Sequence, residues 1–445
     1  MKVALVGAGS RHFARRIIND LLLSDALTGG LDLSLMDTSS SSLPPVLEFA
    51  RTRAAELHRS VTVTATDDLD SAVRGAGYVV VAVERQRYEH WAKDFVIPRK
   101  YGFRPVFGEN GGPGGTFHAL RQMPAVLHIA RRVEALAPNA LLLNFSNPES
   151  KLVELITRAT GVRAVGLCGG YVEGRRAIAS ILQRPVAEIR FVAAGLNHFT
   201  FVTRIEDRAT GEDLYPQLRE KEAQLPWTYD WHAIALPRIM LRRFGLWPSP
   251  SSNHIGEYLS WAHEFVATEL QFFHDPADGP IGSPAAPRPQ WQYSIDRTDL
   301  TARTLPAADA FIDGAEDLSR PSSELAVPIL ESLETSIGHD LPAVNLPNDG
   351  AIPGLPSGTV LELPVHVASG RLQPVAFDPL PEPITAMLRT QASIQRLCVE
   401  AFLEHSKEKL LQAILIDPTI DSYSRAVYMV EEFLSAERDA LPALV

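Results

Sequence analysis

Residues Val3–Phe13 read VALVGAGSRHF. A short apolar run, Val3 to Val6, meets Gly7-Ala8-Gly9-Ser10 and then the apolar-periodic segment Phe13–Leu23. This predicts strand, tight glycine turn and helix. Gly7 permits the sharp turn. Gly9, lacking a Cβ, lets a pyrophosphate approach the backbone at a helix N-terminus, where free N–H groups and the dipole favour anions. A second run, Leu31–Met36, ends in Asp37. An acid at the end of a second strand accepts hydrogen bonds from ribose hydroxyls, which favours NAD over NADP. The pattern is incomplete. His12 stands where a third glycine is expected, and Asp37 lies further on than the usual ~20 residues. We assign Gly7, Gly9, Ser10, Arg11 and Asp37 to a dinucleotide; the alternative is a structural glycine turn in another α/β fold.

The chain has 445 residues, enough for two domains or one large α/β unit. Its formal net charge of −11 and lack of basic runs argue against nucleic acid as a partner. Two cysteines, Cys168 and Cys398, make no disulfide framework and fit a reducing compartment. The N-terminus enters a strand directly, without a signal-peptide pattern, and no apolar run approaches the ~20 residues that span a bilayer. A cytoplasmic protein with no membrane partner is expected.

Further along, residues 43–58 read as helix, Val61–Thr66 as strand, and Asp68 as the N-cap of a short helix. Tyr78–Val83, YVVVAV, is a continuous apolar run, as in a parallel strand covered on both faces. It ends in Glu84-Arg85-Gln86-Arg87. Ligands of open parallel sheets lie beyond the carboxyl ends of strands, so Glu84 and Arg85 are expected at the cofactor and Arg87 in the pocket. The glycine-rich loop 108–115, GENGGPGG, precedes a helix expected over Thr116–Leu136 with Thr116 as cap. Leu141–Phe145 is another buried strand, bringing Asn144 to the cofactor. Pro148 then holds Asn147 extended at that strand's end.

Val162–Leu167 and Ile189–Ala194 read as strands separated by a helix over about residues 173–183. They deliver Cys168 and His198. If the two strands are neighbours, both side chains reach one cavity. Each residue alone is ordinarily a core residue; together they are candidate ligands for a borderline divalent cation. Phe199–Ile205 reads as a strand and Asp207–Gly211 as a turn. A domain boundary is placed here, giving 1–197 and 198–445. Trp227–Phe244, 322–336, 379–415 and 420–438 read as helices, Val360–Val367 as a strand, and 275–290 as a Pro-rich loop.

These segments carry a resemblance. GAGSRHF, the 97–115 segment with IPRKYG and GPGG, NFSNPE, GLCGG, GLNHF, HIGEY and NLPNDGAIPGLPSGTVLELP occur in this order. Across nearly its whole length the chain resembles glycoside hydrolase family 4, the NAD-dependent glycosidases, and within it the branch acting on unphosphorylated α-glycosides and uronides. The resemblance implies an α/β fold: an N-terminal Rossmann-like, doubly wound parallel sheet like that of lactate and malate dehydrogenases, with a mixed α+β C-terminal domain for substrate and oligomerisation. It implies a mechanism outside two-carboxylate hydrolysis. Hydride leaves sugar C3 for NAD, a base removes the C2 proton, the C1 group is eliminated, water adds, and the hydride returns. A neutral sugar's C2–H is too weakly acidic for any side chain; an adjacent ketone polarised by a cation changes that.

The resemblance further implies that Cys168 and His198 ligate Mn²⁺, with His198 beside the substrate, and that Asn147 holds sugar hydroxyls. Tyr258 of HIGEY matches the region of the tyrosine base, which needs a cation to lower its pKa. His254, Glu257 and Glu109 are candidates for substrate contact or proton transfer. Many members carry a polar residue directly after the cysteine, often His, Asp or Asn; here it is Gly169, so the acid comes from elsewhere or the leaving group needs little protonation, and the metal requirement is open. A homodimer or homotetramer is implied. Arg85, Arg87, Arg121 and Lys93 could pair with an anionic C6 group, so the expected substrate is a small-molecule terminal α-hexoside, uronate or sulfonate slightly preferred. The competing reading is a plain NAD-dependent dehydrogenase of a 2-hydroxy acid or polyol.

Overall fold

The structure, a computed structural model, describes residues 1–10, 13–27, 29–225, 234–264, 317–335, 337–368 and 370–445. Six strands run parallel: β1 (Lys2–Val6), β2 (Asp32–Met36), β3 (Thr62–Thr66), β4 (Tyr78–Val81), β5 (Leu141–Asn144) and β6 (Arg163–Gly166). Their order, β3-β2-β1-β4-β5-β6, is that of the doubly wound Rossmann sheet. The order reverses between β1 and β4, and the glycine turn sits at that crevice. Alternation along β1 builds the core on both faces: Val3 and Leu5 join one apolar cluster, Ala4 and Val6 the other. Burying each such Val or Leu contributes about 1.5–3 kcal/mol.

The sheet does not stop at β6. It continues, antiparallel, through β10 (His339–Pro347), β11 (Val360–Ala368), β7 (Ile189–Leu196), β8 (Phe199–Asp207) and β9 (Trp247–Ser249), with β12 (Arg371–Pro374) pairing β11. A division at 197/198 therefore falls inside the turn of the β7–β8 hairpin, and the sheet runs across it. Pro248 and Pro342 lie inside β9 and β10, and β9 and β12, of three and four residues, are too short to show a period.

Two helix boundaries are corrected. The long helix begins at Gly112, not Thr116, with Gly111 as its cap residue and Pro113 in its first turn; proline is at home there because the missing N–H has no partner in any case. Thr116 is buried inside the helix. The segment 379–415 is two helices, Glu382–Leu403 and Lys407–Leu415, and Ser406 caps the second by accepting from Lys409 N. Asp68 caps its helix as expected, accepting from Asp70 N and Ser71 N. Of the helix expected over 227–244, the described part is Ala235–Phe244; residues 226–233 and the Pro-rich loop 275–290 lie outside the described residues. No described helix is long and apolar enough to cross a membrane.

Candidate active site

At the carboxyl ends of β1, β2 and β4 the glycine turn is held tightly. Gly7 has φ +88°, and a Cβ there would lie 2.1 Å from Ala82 O. Gly9 N donates to Asp37 Oδ2 at 2.8 Å, and Ser39 N donates to Oδ1 at 2.9 Å. Asp37 thus ties the end of β2 to the glycine turn. Ser10 Oγ accepts from Phe13 N at 3.4 Å and starts the first helix, Phe13–Leu23. Arg11 lies outside the described residues.

Of the other expected cofactor residues, Asn144 and Glu84 are bonded within the protein and Arg85 is exposed. Asn144 is fully buried and closes its own turn, donating to Ser146 O and accepting from Ser146 N. The Glu84 carboxylate accepts from Gln122 and faces His118 Nε2 at 3.2 Å and Arg87 at 3.3 Å. Burial works against its charge, but His118 and Arg87 hold its pKa below the usual range. Arg85 is exposed and lines a depression with His90, Lys93 and Glu437. Arg121 is buried between Asp94 and Glu437, so it is spent on an internal ion triad and cannot meet a substrate anion.

The reaction end assembles from four loops. β6 and β7 are not neighbours, because β10 and β11 stand between them. Even so, Cys168 Sγ lies 3.3 Å from His198 Nε2. The reach comes from the hairpin. Leu196 pairs with Phe199, so Asn197-His198 is a two-residue turn, and His198 takes φ +63°. Such turns favour residues that tolerate positive φ, usually Asn or Gly. A histidine there is an uncommon conformation for a bulky side chain.

His254, Glu109 and His198 offer ligand atoms that all lie within 4.8 Å of one another. The His254 ring packs edge-on against His198 at 4.2 Å and against Phe107 at 4.8 Å. Its Nδ1 is buried, has no hydrogen-bond partner among the described residues, and lies 3.7 Å from Glu109 Oε2. Arg87 pairs with Glu109 and lies 5.0 Å over the Trp91 ring. Asn147 is half-buried in the turn after β5.

Burial sets most charges here. It pushes the Cys168 thiol up, and Glu362 and Glu149 add to that. It pulls His198 down to about 3, with His254 adding repulsion, so the imidazole is neutral as a ligand requires. Burial also lowers His254, against the pull of Glu109. Arg87 holds Glu109 ionised against its burial.

Glu257 and Tyr258 face inward. The Glu257 carboxylate accepts from Glu109 N and Asn110 N, and burial beside Glu109 raises its pKa to about 8. It anchors the glycine loop. The Tyr258 hydroxyl donates to Asn197 O at 3.2 Å, and its ring stacks on Phe199 at 4.9 Å. Burial first, then Glu257 and Glu109, push its pKa well above the ordinary value.

Sequence reasoning missed Asn110 and Lys151. Asn110 Nδ2 lies 2.8 Å from His198 Nδ1, and Lys151 Nζ donates to Asn110 O at 2.5 Å. With the Asn110 amide turned over, its oxygen accepts from Nδ1–H and leaves the Nε2 lone pair toward Cys168, the tautomer that a ligand needs. Asn110 sits in the quoted glycine loop, but only the fold brings it to His198.

The pattern described as "Family 4 glycosyl hydrolase" matches residues 2–184, and "Family 4 glycosyl hydrolase C-terminal domain" matches 193–420. An alpha-glucosidase of Erwinia rhapontici is 28% identical over 466 residues, covering 96% of this chain and 95% of that protein. An alpha-galacturonidase of Thermoanaerobacter italicus is 24% identical, covering 99% and 97%. A crystal structure of a 6-phospho-alpha-glucosidase from gut microorganisms, in complex with NAD and Mn²⁺, has the same fold, with a TM-score of 0.78 at 21% identity, covering 100% of this chain and 99% of that one.

Proposed function

The chain belongs to the family 4 glycosyl hydrolases, and we propose that it hydrolyses a terminal α-hexoside with the help of NAD and a divalent cation, Mn²⁺ by preference, in the cytoplasm as a homo-oligomer. One observation carries this reading. Glu109, His198 and His254 bring ligand atoms within 4.8 Å of one another and Cys168 Sγ lies 3.3 Å from His198 Nε2, all in segments that follow strands of the sheet that carries the glycine turn.

The donors fit a borderline cation. His198 is common to two groupings that would hold it, one with Cys168 and one with Glu109 and the unpartnered Nδ1 of His254. When bound, the nicotinamide supplies hydride removal and return at sugar C3, and the cation polarises the oxygen there and adds the positive charge that a buried tyrosine needs to ionise.

The chain's own residues do the rest. Asn147 orients the sugar hydroxyls. Tyr258 takes the C2 proton, once its proton is no longer held by Asn197 O. Gly169 offers no acid and Arg87 holds Glu109 ionised, whereas Glu257 keeps its proton up to about pH 8 but is bonded to backbone N–H groups; this reading therefore favours a leaving group that needs little protonation. Arg87 faces the site but already pairs with Glu84 and Glu109; a slight preference for an anionic C6 group such as a carboxylate or sulfonate therefore requires that it turn from one of them to the substrate. The alpha-galacturonidase likeness supports an anionic sugar, and the alpha-glucosidase likeness a neutral one.

The test is a panel of nitrophenyl α- and β-glycosides, uronides and sulfoquinovosides with NAD⁺, with and without Mn²⁺. α-Hexosides are expected to be cleaved without net NADH. Stoichiometric NADH accumulation would instead identify a dehydrogenase. Turnover that survives complete removal of dinucleotide would overturn the reading.

A further inference from the structure

A second polar cluster lies behind the cysteine, in one row across the sheet. Asn345 on β10 pairs with Gly166 on β6 and with Glu362 on β11. Glu362 pairs in turn with Gly195 on β7, and Gly195 with Thr200 on β8. Residues level with one another on neighbouring strands carry their side chains on one face. Two positions of the row are glycines, which leaves space there. Glu149, from the helix Glu149–Ala159, fills the first gap: a Cβ on Gly166 would lie 1.3 Å from Glu149 Oε1. Neighbouring row positions are about 5 Å apart at Cβ, so the Glu149 carboxylate stands beside Asn345 with Glu362 one place further.

Glu149, Asn197, Asn345 and Glu362 are each at most 4% exposed. Both Glu149 oxygens, Asn345 Oδ1 and Asn197 Oδ1 have no hydrogen-bond partner among the described residues. The neighbouring donors are committed. Thr200 Oγ1 lies within hydrogen-bond reach of both Leu196 O and Glu362 Oε2 and has one proton for the two, Asn197 Nδ2 donates to Glu362, and Asn345 Nδ2 donates to Gly166 O. The cluster has a surplus of acceptors, every one of them oxygen, and two of its members are carboxyls. Unpaired buried charge and unpaired buried acceptors are both costly. Burial favours a proton on each carboxyl, and two such protons reach the two amide oxygens at best, leaving a Glu149 oxygen without a donor. A hard cation satisfies all of them together. A divalent one cancels two carboxylates, and calcium accepts six to eight oxygens at about 2.3–2.6 Å in flexible geometry.

We propose that Glu149, Asn197, Asn345 and Glu362 form a buried binding site for a hard divalent cation of the calcium type. It differs in chemistry from the sulfur- and nitrogen-containing set of Cys168 and His198, and it does not rest on the proposed reaction. Its role is structural. It clamps the helix Glu149–Ala159 to the junction where β10 and β11 enter between β6 and β7.

The experiment strips the full-length protein with chelator, dialyses it against Ca²⁺ alone, and reads bound calcium by elemental analysis and the melting temperature by scanning calorimetry. Wild type is expected to take up one Ca²⁺ per chain and to melt higher with it. Glu149→Gln, which keeps the side-chain shape, and Asn345→Ser are each expected to bind at least tenfold more weakly and to lose the thermal response. His198→Ala is expected to keep both. Absence of uptake by wild type, or wild-type affinity in folded Glu149→Gln, overturns the proposal.

Discussion

Gly169 follows Cys168 with open space around it; a Cβ there would meet nothing within 4 Å. Gly169→Asp should therefore fold with an unchanged melting temperature. If the site lacks its own strong acid, the new carboxyl should raise kcat/KM on alkyl glycosides, whose leaving groups need a proton, and leave nitrophenyl glycosides unaffected. Equal effects on both would show that protonation is not limiting. Asp37 belongs to the same scale. Its carboxylate holds Gly9 N and Ser39 N, so it shapes the turn in addition to its proposed role at a ribose. Asp37→Ala is expected to weaken NAD binding by tenfold or more in calorimetry, about 1.4 kcal/mol. Unchanged affinity would remove Asp37 from the cofactor site. Asp37 was legible in the sequence because it follows β2 directly, and Gly169 because the resemblance expects a polar residue after the cysteine. Asn110 was not, since its partner His198 is 88 residues away.

At the scale of elements, the glycine loop and the β7–β8 hairpin make the site together. A Cβ on Gly115 would lie 2.3 Å from Asn110 C, and one on Gly111 would lie 2.8 Å from both Glu257 and Tyr258. Neither neighbour can yield, because Asn110 is held by Lys151 and by the Glu257 carboxylate. Gly115→Ala should displace Asn110 and release His198 from its fixed tautomer. The expected result is a tenfold or larger fall in Mn²⁺ affinity, with NAD affinity retained, read by separate titrations of each. Loss of both together would indicate general unfolding instead. The sequence showed the loop as glycine-rich but misplaced the helix start by four residues. The reason is that GPGG reads as turn, whereas its glycines serve close approach inside the first helical turn.

At the scale of the whole molecule, the C-terminal helix Tyr423–Ala436 is locked under the site. Phe433 stacks on Phe117 at 4.0 Å, and Glu437, just beyond the helix, joins the Arg121–Asp94 pair. Removing one partner of a buried pair costs about 3–5 kcal/mol, so Glu437→Ala should destabilise by that order in denaturant unfolding. A loss near zero would mean that Asp94 alone satisfies the guanidinium. Glu257 gives the molecule a pH dependence. Its folded pKa of about 8 lies above the ordinary carboxyl value, because burial and Glu109 favour the neutral form. Its contribution to stability is complete below about pH 4.3 and is lost as pH rises through about 8. Wild type should lose stability from pH 6 to 9, and Glu257→Gln should flatten that slope. Parallel slopes for the two proteins would place the dependence on another group.

Local pattern was enough for the parallel half of the sheet, the glycine turn, Asp37, and the strand ends that carry Asn147, Cys168 and His198. Each of those features is written within a few neighbouring residues: a continuous apolar run for a doubly covered strand, glycine for a tight turn, a polar residue where the strand stops. The ordered motifs also pointed to the family. Only the tertiary structure decided that β10 and β11 enter between β6 and β7, that Arg121 and Asn144 are spent on the framework, and that Asn110, Lys151 and Glu149 surround the site from behind. Those outcomes depend on pairings between segments up to some three hundred residues apart in the chain. Packing, burial and shared hydrogen bonds choose such pairings, and no local run of residues encodes them.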